Sequence, residues 1–480
     1  MKTKTLGFNA LINGLRNVLN MIFPLITFPY VSRVLGVENL GEYNFAQSVV
    51  SYFSLIAALG ISTYSVREGA KYRNNRNELS KFASQIITLN IISTFVSYLL
   101  LLICVGMVDK FKADYKLIFV FSVQIIFTTI GIDWIYTIHE EFTYITIRSI
   151  VFKLISISLM FILVKSKNDT LIYAFITVLA CAGSNVLNCI NSRKFFDLKL
   201  PKWNEIKNHI KPILILFASE LAIMIYVNSD VMMLGLIKDK YCVGIYSVSV
   251  KIYTIIKNLL AAVLLVSVPR LSMYSGRNDN ESFNKTLQKV IDSISILLIP
   301  AILGLFFYSK EIILLISGEK YVSADASLKI LSIALFASIY GWICSSCVLV
   351  PKKKENIVLI ATIVSAVNNI LLNLAFIPKF SEKATAFSTL ISECIVLVIC
   401  SYVAKRESKF KFLNKNFISI LIGCVFIILI YIIGKKISAQ WMVKLIIQII
   451  MSVFVYVLCL IVLKNPIVMT ILRRHKMEEK

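Results

Sequence analysis

Apolar runs of about twenty residues, separated by short polar and basic stretches, recur along the whole chain. A helix rises about 1.5 Å per residue, so each run is long enough to cross roughly 30 Å of bilayer hydrocarbon. The pattern predicts fourteen spans, near residues 7–32, 43–66, 82–107, 115–138, 143–164, 170–192, 211–237, 243–270, 285–308, 325–350, 356–378, 384–404, 416–434 and 441–463. No connecting loop is long enough for an independent domain outside the membrane. The expected fold is therefore an all-α polytopic membrane protein.

Basic residues gather in alternate loops. The dense clusters are Arg67, Lys71, Arg73 and Arg76; Arg193, Lys194, Lys199 and Lys202; Lys352, Lys353 and Lys354; and Lys405, Arg406, Lys409 and Lys411. Such loops are retained on the cytoplasmic side, which places both termini there and calls for an even number of spans. Lys2 and Lys4 precede a run with no small-residue cleavage site, so the first run reads as a span and not as a removed signal.

Two stretches of the chain match each other. Leu35-Gly36 and Gly41-x-Tyr43 follow span 1, and span 2 ends near Arg67; Leu234-Gly235 and Gly244-x-Tyr246 follow span 7, and span 8 ends near Arg270. Gly41 to Gly244, Tyr43 to Tyr246 and Arg67 to Arg270 are each separated by 203 positions. Six spans lie between the copies, so both have the same orientation. This predicts two six-helix lobes, residues 1–204 and 205–410, with two additional spans and a basic tail in 411–480. Two lobes flanking a cleft are a usual body plan for an alternating-access transporter.

Polar residues at membrane depth carry the functional reading. In span 1, Asn9, Asn13, Arg16, Asn17 and Asn20 recur at i, i+4, i+7, i+8 and i+11, which is one helical face. Pro24 and Pro29 are expected to break or kink the same helix. Span 5 carries Arg148 and Lys153, and span 8 carries Lys251 and Lys257. A charge in hydrocarbon costs about 2.5–3.5 kcal/mol on insertion scales, so such residues face water or a partner. The set Arg16, Arg148, Lys153, Lys251, Lys257, Asn13 and Asn20 predicts a cationic cavity for an anionic substrate. The alternative is interhelical pairing and snorkelling to the headgroups. Asp133 in span 4 could also pair with one of these bases, and Glu220, Asp230, Asp292 and Glu393 are candidates for ion coupling or for structural pairing with them.

Composition narrows the field. Of the 480 residues 58% are hydrophobic and only 16% charged, against about 25% in soluble proteins, which excludes a soluble enzyme and a nucleic-acid binder. The net charge of +24 is accounted for largely by cytoplasmic loops facing anionic lipid. The ten cysteines lie mostly in apolar runs, and Cys344-x-x-Cys347 has no second pair, so they read as small buried hydrophobes. His139, His209 and His475 lack metal-ligand spacing. No Walker A motif, serine elbow or other catalytic set is present. Neither a metal nor another cofactor is expected; a proton or sodium gradient, or the membrane potential, would supply the energy.

Three segments carry a family resemblance: Pro29 to Tyr43; Val227 to Gly235 with Val243 to Tyr246 and Val268-Pro269-Arg270; and Trp134 to Ile145. They resemble the signatures of Wzx-like polysaccharide flippases in the multidrug/oligosaccharidyl-lipid/polysaccharide exporter superfamily. In the third segment Trp134, Tyr136 and Glu140 match, but Thr137-Ile138 stands where the family usually has Gln-Gly. The resemblance implies two six-helix lobes plus two helices. It further implies a non-enzymatic flippase that carries undecaprenyl-diphosphate-linked oligosaccharide from the inner to the outer leaflet of the bacterial plasma (inner) membrane, for O-antigen or capsule synthesis. Membrane lipids, a polysaccharide polymerase and chain-length machinery would be its partners. A peptidoglycan-precursor (lipid II) flippase is the nearest rival; a MATE-like multidrug exporter fits less well, since a basic cavity repels cationic drugs.

Overall fold

The computed structural model describes residues 6–436 and 440–470, with side chains from Leu19 onward except Asn20, Met21, Ala182 and Lys415. The described residues are helical throughout, with no strand. Thirteen helical segments are long and apolar enough to cross a membrane. We label them after α1 (Leu6–Leu35): α2 (Val37–Tyr72), α3 (Arg76–Met107), α4 (Tyr115–Ile138), α5 (Phe142–Leu163), α6 (Lys167–Ser192), α7 (Trp203–Ile237), α8 (Lys240–Gly276), α9 (Asn280–Phe307), α10 (Glu319–Leu349), α11 (Glu355–Phe380), α12 (Glu382–Glu407), α13 (Asn416–Lys435) and α14 (Trp441–Val462). Every span expected from hydropathy coincides with one of these fourteen.

Several helices start earlier than hydropathy indicates, because their first turns are polar and capped. The Asn75 side chain accepts hydrogen bonds from the backbone N–H groups of Asn77 (3.1 Å) and Glu78 (3.3 Å), which starts α3 at Arg76. Asp279 does the same for Ser282 (3.0 Å) ahead of α9. In α1 the helix is assigned without interruption through Pro24 and Pro29, so the expected break is absent. Other helices are interrupted: α2 at Leu59–Gly60 and α4 at Ile132, all with positive φ, and α6 and α10 by π turns at Leu179–Gly183 and Ile343–Leu349.

The chain forms two compact units, Met1–Ser247 and Val248–Lys480. In the first, α2 and the start of α8 cross at Gly41 and Gly244. A Cβ on Gly41 would overlap the Lys240 carbonyl, and one on Gly244 would overlap the Val37 carbonyl. Each obstructing carbonyl lies four residues before the other helix's glycine, so the contact is reciprocal. The repeated Gly-x-Tyr motif is therefore a helix-crossing point that only hydrogen-sized side chains permit. A second core in this unit gathers Leu79, Phe82, Ile86, Trp134, Ile135 and Tyr136.

In the second unit α11 and α12 meet along a polar seam. Ser365 donates to the Ser392 carbonyl (2.8 Å), Asn373 to Asn369 (3.0 Å) and Ser388 to Asn373 (2.6 Å). The last two helices attach to α9. Tyr456 donates to the Ile296 carbonyl (2.8 Å). The Asp292 carboxylate accepts from Gln288 (2.8 Å), Asn414 (2.7 Å) and Asn416 (2.9 Å). Asp292 is thus an anchor for the start of α13. Asp292→Ala is expected to cost about 2–3 kcal/mol, the worth of hydrogen bonds to a buried charge. It should also speed tryptic cleavage at Lys409 and Lys411; an unchanged cleavage rate would remove the anchor from the account.

Candidate functional site

Helix α5 carries two of the basic residues singled out in the sequence, and they have different surroundings. Arg148 is 6% exposed. Its Nη2 donates to Oδ1 of Asp133 at 3.2 Å, and Asn188 donates to the same oxygen. The Tyr144 ring lies 5.9 Å from the guanidinium. Nε and Nη1 of Arg148 are buried and donate to no group among the described residues. Arg148 is therefore held in an ion pair with a carboxylate whose own side chain is 49% exposed.

Lys153 lies farther along α5, in a cavity of about 220 Å³. The walls come from α1 (Phe23, Pro24, Thr27), α5 (Ser156, Met160) and α6 (Tyr173, Thr177, Ala180). The ammonium sits 5.4 Å from the Phe23 ring centre. Ser156 Oγ is buried and makes no hydrogen bond among the described residues, while Thr177 accepts from Tyr43 at 3.0 Å and donates to the Tyr173 carbonyl at 3.0 Å. Ala180 belongs to the π turn of α6, a distortion common at functional sites. One cation and the unspent Ser156 hydroxyl in a mostly apolar shell suit anionic oxygens, because a low local dielectric strengthens charge-assisted hydrogen bonds; Thr27 and Thr177 already donate to the Phe23 and Tyr173 carbonyls.

In the second unit, Lys257 donates to Oε1 of Glu393 at 2.7 Å, and Tyr253 donates to the same oxygen at 3.1 Å. Glu393 is 5% exposed. This is an internally neutralised pair in which the carboxylate is buried and the Lys257 side chain is 28% exposed. Lys251, two helical turns earlier in α8, is half-buried. Of the remaining acids, Glu220 accepts from Thr63 (3.1 Å) and Asp230 from Tyr246 (2.9 Å). The side chains of Asn13, Arg16 and Asn20 lie outside the described residues.

Sequence reasoning named Asp133 only as one of several acids that could pair with the bases, and did not connect Asn188, Ser156 or Tyr253 to them. Tyr253 and Lys257 are i and i+4, a spacing that signals shared use of one partner. Asn188 and Asp133 are 55 residues apart, and nothing local links them. A further ion cluster in the first unit joins Lys240, at the start of α8, to Glu42 in α2 (3.3 Å) and to Asp114 just before α4. Outside the spans, burial pulls His139 below its ordinary imidazole value, with Arg73 and Lys194 acting in the same sense. The Arg76 guanidinium holds the Asp197 carboxyl low through a two-pronged hydrogen bond.

Comparison with known proteins agrees with this architecture. The sequence profile of the family described as "Polysaccharide biosynthesis protein" matches residues 6–275. Two proteins named "Putative O-antigen transporter" are similar. The one from Escherichia coli (strain K12) is 25% identical over 255 residues, 53% of this chain and 61% of that protein. The one from Shigella dysenteriae is 22% identical over 395 residues, 81% of this chain and 98% of that protein. Among solved structures, "Lipid II flippase MurJ, inward closed conformation" superposes with a TM-score of 0.77 at 16% identity, covering 96% of this chain and 99% of that one. At that identity the likeness establishes the fold.

Proposed function

The chain belongs to the polysaccharide biosynthesis protein family, and on that premise we propose that it is a Wzx-like flippase for undecaprenyl-diphosphate-linked oligosaccharide repeat units. It moves them from the cytoplasmic to the outer leaflet of the bacterial plasma membrane, where a polymerase and its chain-length partner take them up. The hydrated, anionic head cannot cross hydrocarbon unaided, whereas the polyprenyl tail can stay in lipid. The observation that carries this reading is Lys153, an ammonium set among hydroxyls in a membrane-depth cavity. It receives a diphosphate oxygen, with Ser156 as a hydroxyl partner; the Thr177 hydroxyl already donates to the Tyr173 carbonyl. Arg16, Asn13 and Asn20, and separately Lys251, are further candidates to receive the charged head. Lys257 contributes less, since Glu393 already takes its charge.

Transport is of the secondary type, by alternating access of the two lobes. The membrane potential supplies the drive: a head of charge near −2 leaving a negative interior gains roughly 4–5 kcal/mol at 100 mV. Coupled movement of a proton or sodium ion at Asp230 or Glu220 adds to it. Depletion of the protein in its cells tests the proposal. Intact lipid-linked repeat units are expected to accumulate in the cytoplasmic leaflet while surface polymer is lost. Units that reach the outer leaflet normally but stay unpolymerised would overturn it. Lysis from lost cell wall, with polymer lipids unaffected, would point to a peptidoglycan-precursor flippase instead.

Lys153→Gln is expected to lower the affinity for undecaprenyl diphosphate about tenfold, within the worth of one charge-assisted contact. Lys153→Arg should restore most of it. Titration of the purified protein with the lipid checks both.

A further inference from the structure

A second cavity in the first unit, about 170 Å³, opens onto the free side of Asp133. Ser62, Asn90, Thr128, Thr129 and Trp134 line it with Asp133. Its chemistry differs from that of the Lys153 cavity. Arg148 cancels the Asp133 charge from the buried side, so the pocket carries no net attraction for an ion of either sign. What it offers are acceptors. Oδ2 of Asp133 takes no hydrogen bond among the described residues, since Arg148 and Asn188 both use Oδ1. Asn90 spends its amide N–H on the Ala57 carbonyl (2.8 Å), leaving its oxygen. Thr128 donates to the Ile125 carbonyl (2.8 Å), so its hydroxyl keeps its lone pairs; Thr129 is occupied by the same carbonyl (3.1 Å) and the Thr94 hydroxyl (2.6 Å). The indole of Trp134 forms part of the wall.

A neutral ligand rich in hydroxyl donors, with a flat apolar face for the indole, satisfies this lining; that is the chemistry of a sugar ring. We propose that the Asp133 pocket binds a sugar of the repeat unit, separately from the diphosphate. Arg148 acts as a positioning residue, fixing the carboxylate and cancelling its charge. The inference rests on the flippase reading and adds to it a carbohydrate subsite. An ammonium or metal cation would also accept oxygen donors, but the adjacent guanidinium repels it.

The test compares two probes on the purified full-length chain by native mass spectrometry: lipid-linked repeat unit extracted from the producing cells, and bare undecaprenyl diphosphate. The sugar-bearing lipid is expected to bind about tenfold tighter, the worth of one or two well-made hydrogen bonds. Thr128→Leu or Ser62→Leu, which fill the pocket from exposed positions, should bring the two affinities within about twofold of each other. Thr128→Ser, which keeps the hydroxyl, should retain the preference. A preference that survives both leucine variants places the sugar elsewhere and overturns the inference while the flippase reading stands. Equal binding of the two probes by the wild type also overturns it. A wild type that binds neither probe overturns the flippase reading as well.

Discussion

Replacing Glu393 with leucine is expected to destabilise the protein by about 3–5 kcal/mol, and adding Lys257→Met is expected to recover most of that loss. The ammonium and carboxylate lie 2.7 Å apart, and Tyr253 donates to the same carboxylate oxygen. With the acid alone removed, a charge stays buried without a partner. With both removed, apolar side chains of similar volume fill the space. Thermal unfolding in detergent reads the two steps. The double variant also separates structure from function. If the pair is structural, the stable double variant still transports. If Lys257 touches substrate, it is stable but inactive. A single variant as stable as the wild type would show that the pair is not formed.

Gly41→Val and Gly244→Val are each expected to abolish the folded protein. Overpacking usually costs about 1–3 kcal/mol where side chains can move aside. Here the obstruction is backbone, the carbonyls of Lys240 and Val37, and neither can move without shifting a helix. Alanine at either position forces α2 and α8 apart at the same crossing. Once one alanine has separated them the second adds little, so the two costs combine less than additively. Yield of a monodisperse peak on size exclusion measures this. Near-normal yield of Gly41→Val would contradict the crossing.

The two cases differ in how much the sequence revealed. The span pattern was readable because a helix's length and apolarity are one-dimensional properties, and bilayer thickness gives them a scale. The repeat was readable for the same reason: Gly41-x-Tyr43 and Gly244-x-Tyr246 are short, local and evenly offset. Only the structure shows that the two copies touch each other. The start of α7 at Trp203 lay outside the hydropathy pattern, since Lys207, His209 and Lys211 are polar. His209 is kept in place by Tyr64 (2.7 Å) and Gln85 (2.8 Å). Proline does not break α1: it removes a donor, but in lipid the helix is the only way to satisfy the remaining backbone groups.

The candidate site was readable as a list of residue types but not as pairings. Arg148, Lys153 and Lys257 were alike in the sequence, each a base within an apolar run. Their partners lie on other helices, Asp133 for Arg148 and Glu393 for Lys257. Lys257 and Glu393 are 136 positions apart, and no local rule joins them. Lys153 lies instead in a cavity whose hydroxyls come from three helices. Its place in the wall of that cavity makes Lys153 a specific candidate for the diphosphate.

The most direct test of the central claim is translocation by the purified protein alone. In proteoliposomes, lipid-linked repeat units placed in one leaflet are expected to reach the other only when the protein is present. The rate should rise with a membrane potential that is negative on the donor side and fall in Lys153→Gln. Units that stay in the donor leaflet as they do in protein-free vesicles, with folded protein present and a potential applied, would contradict the account.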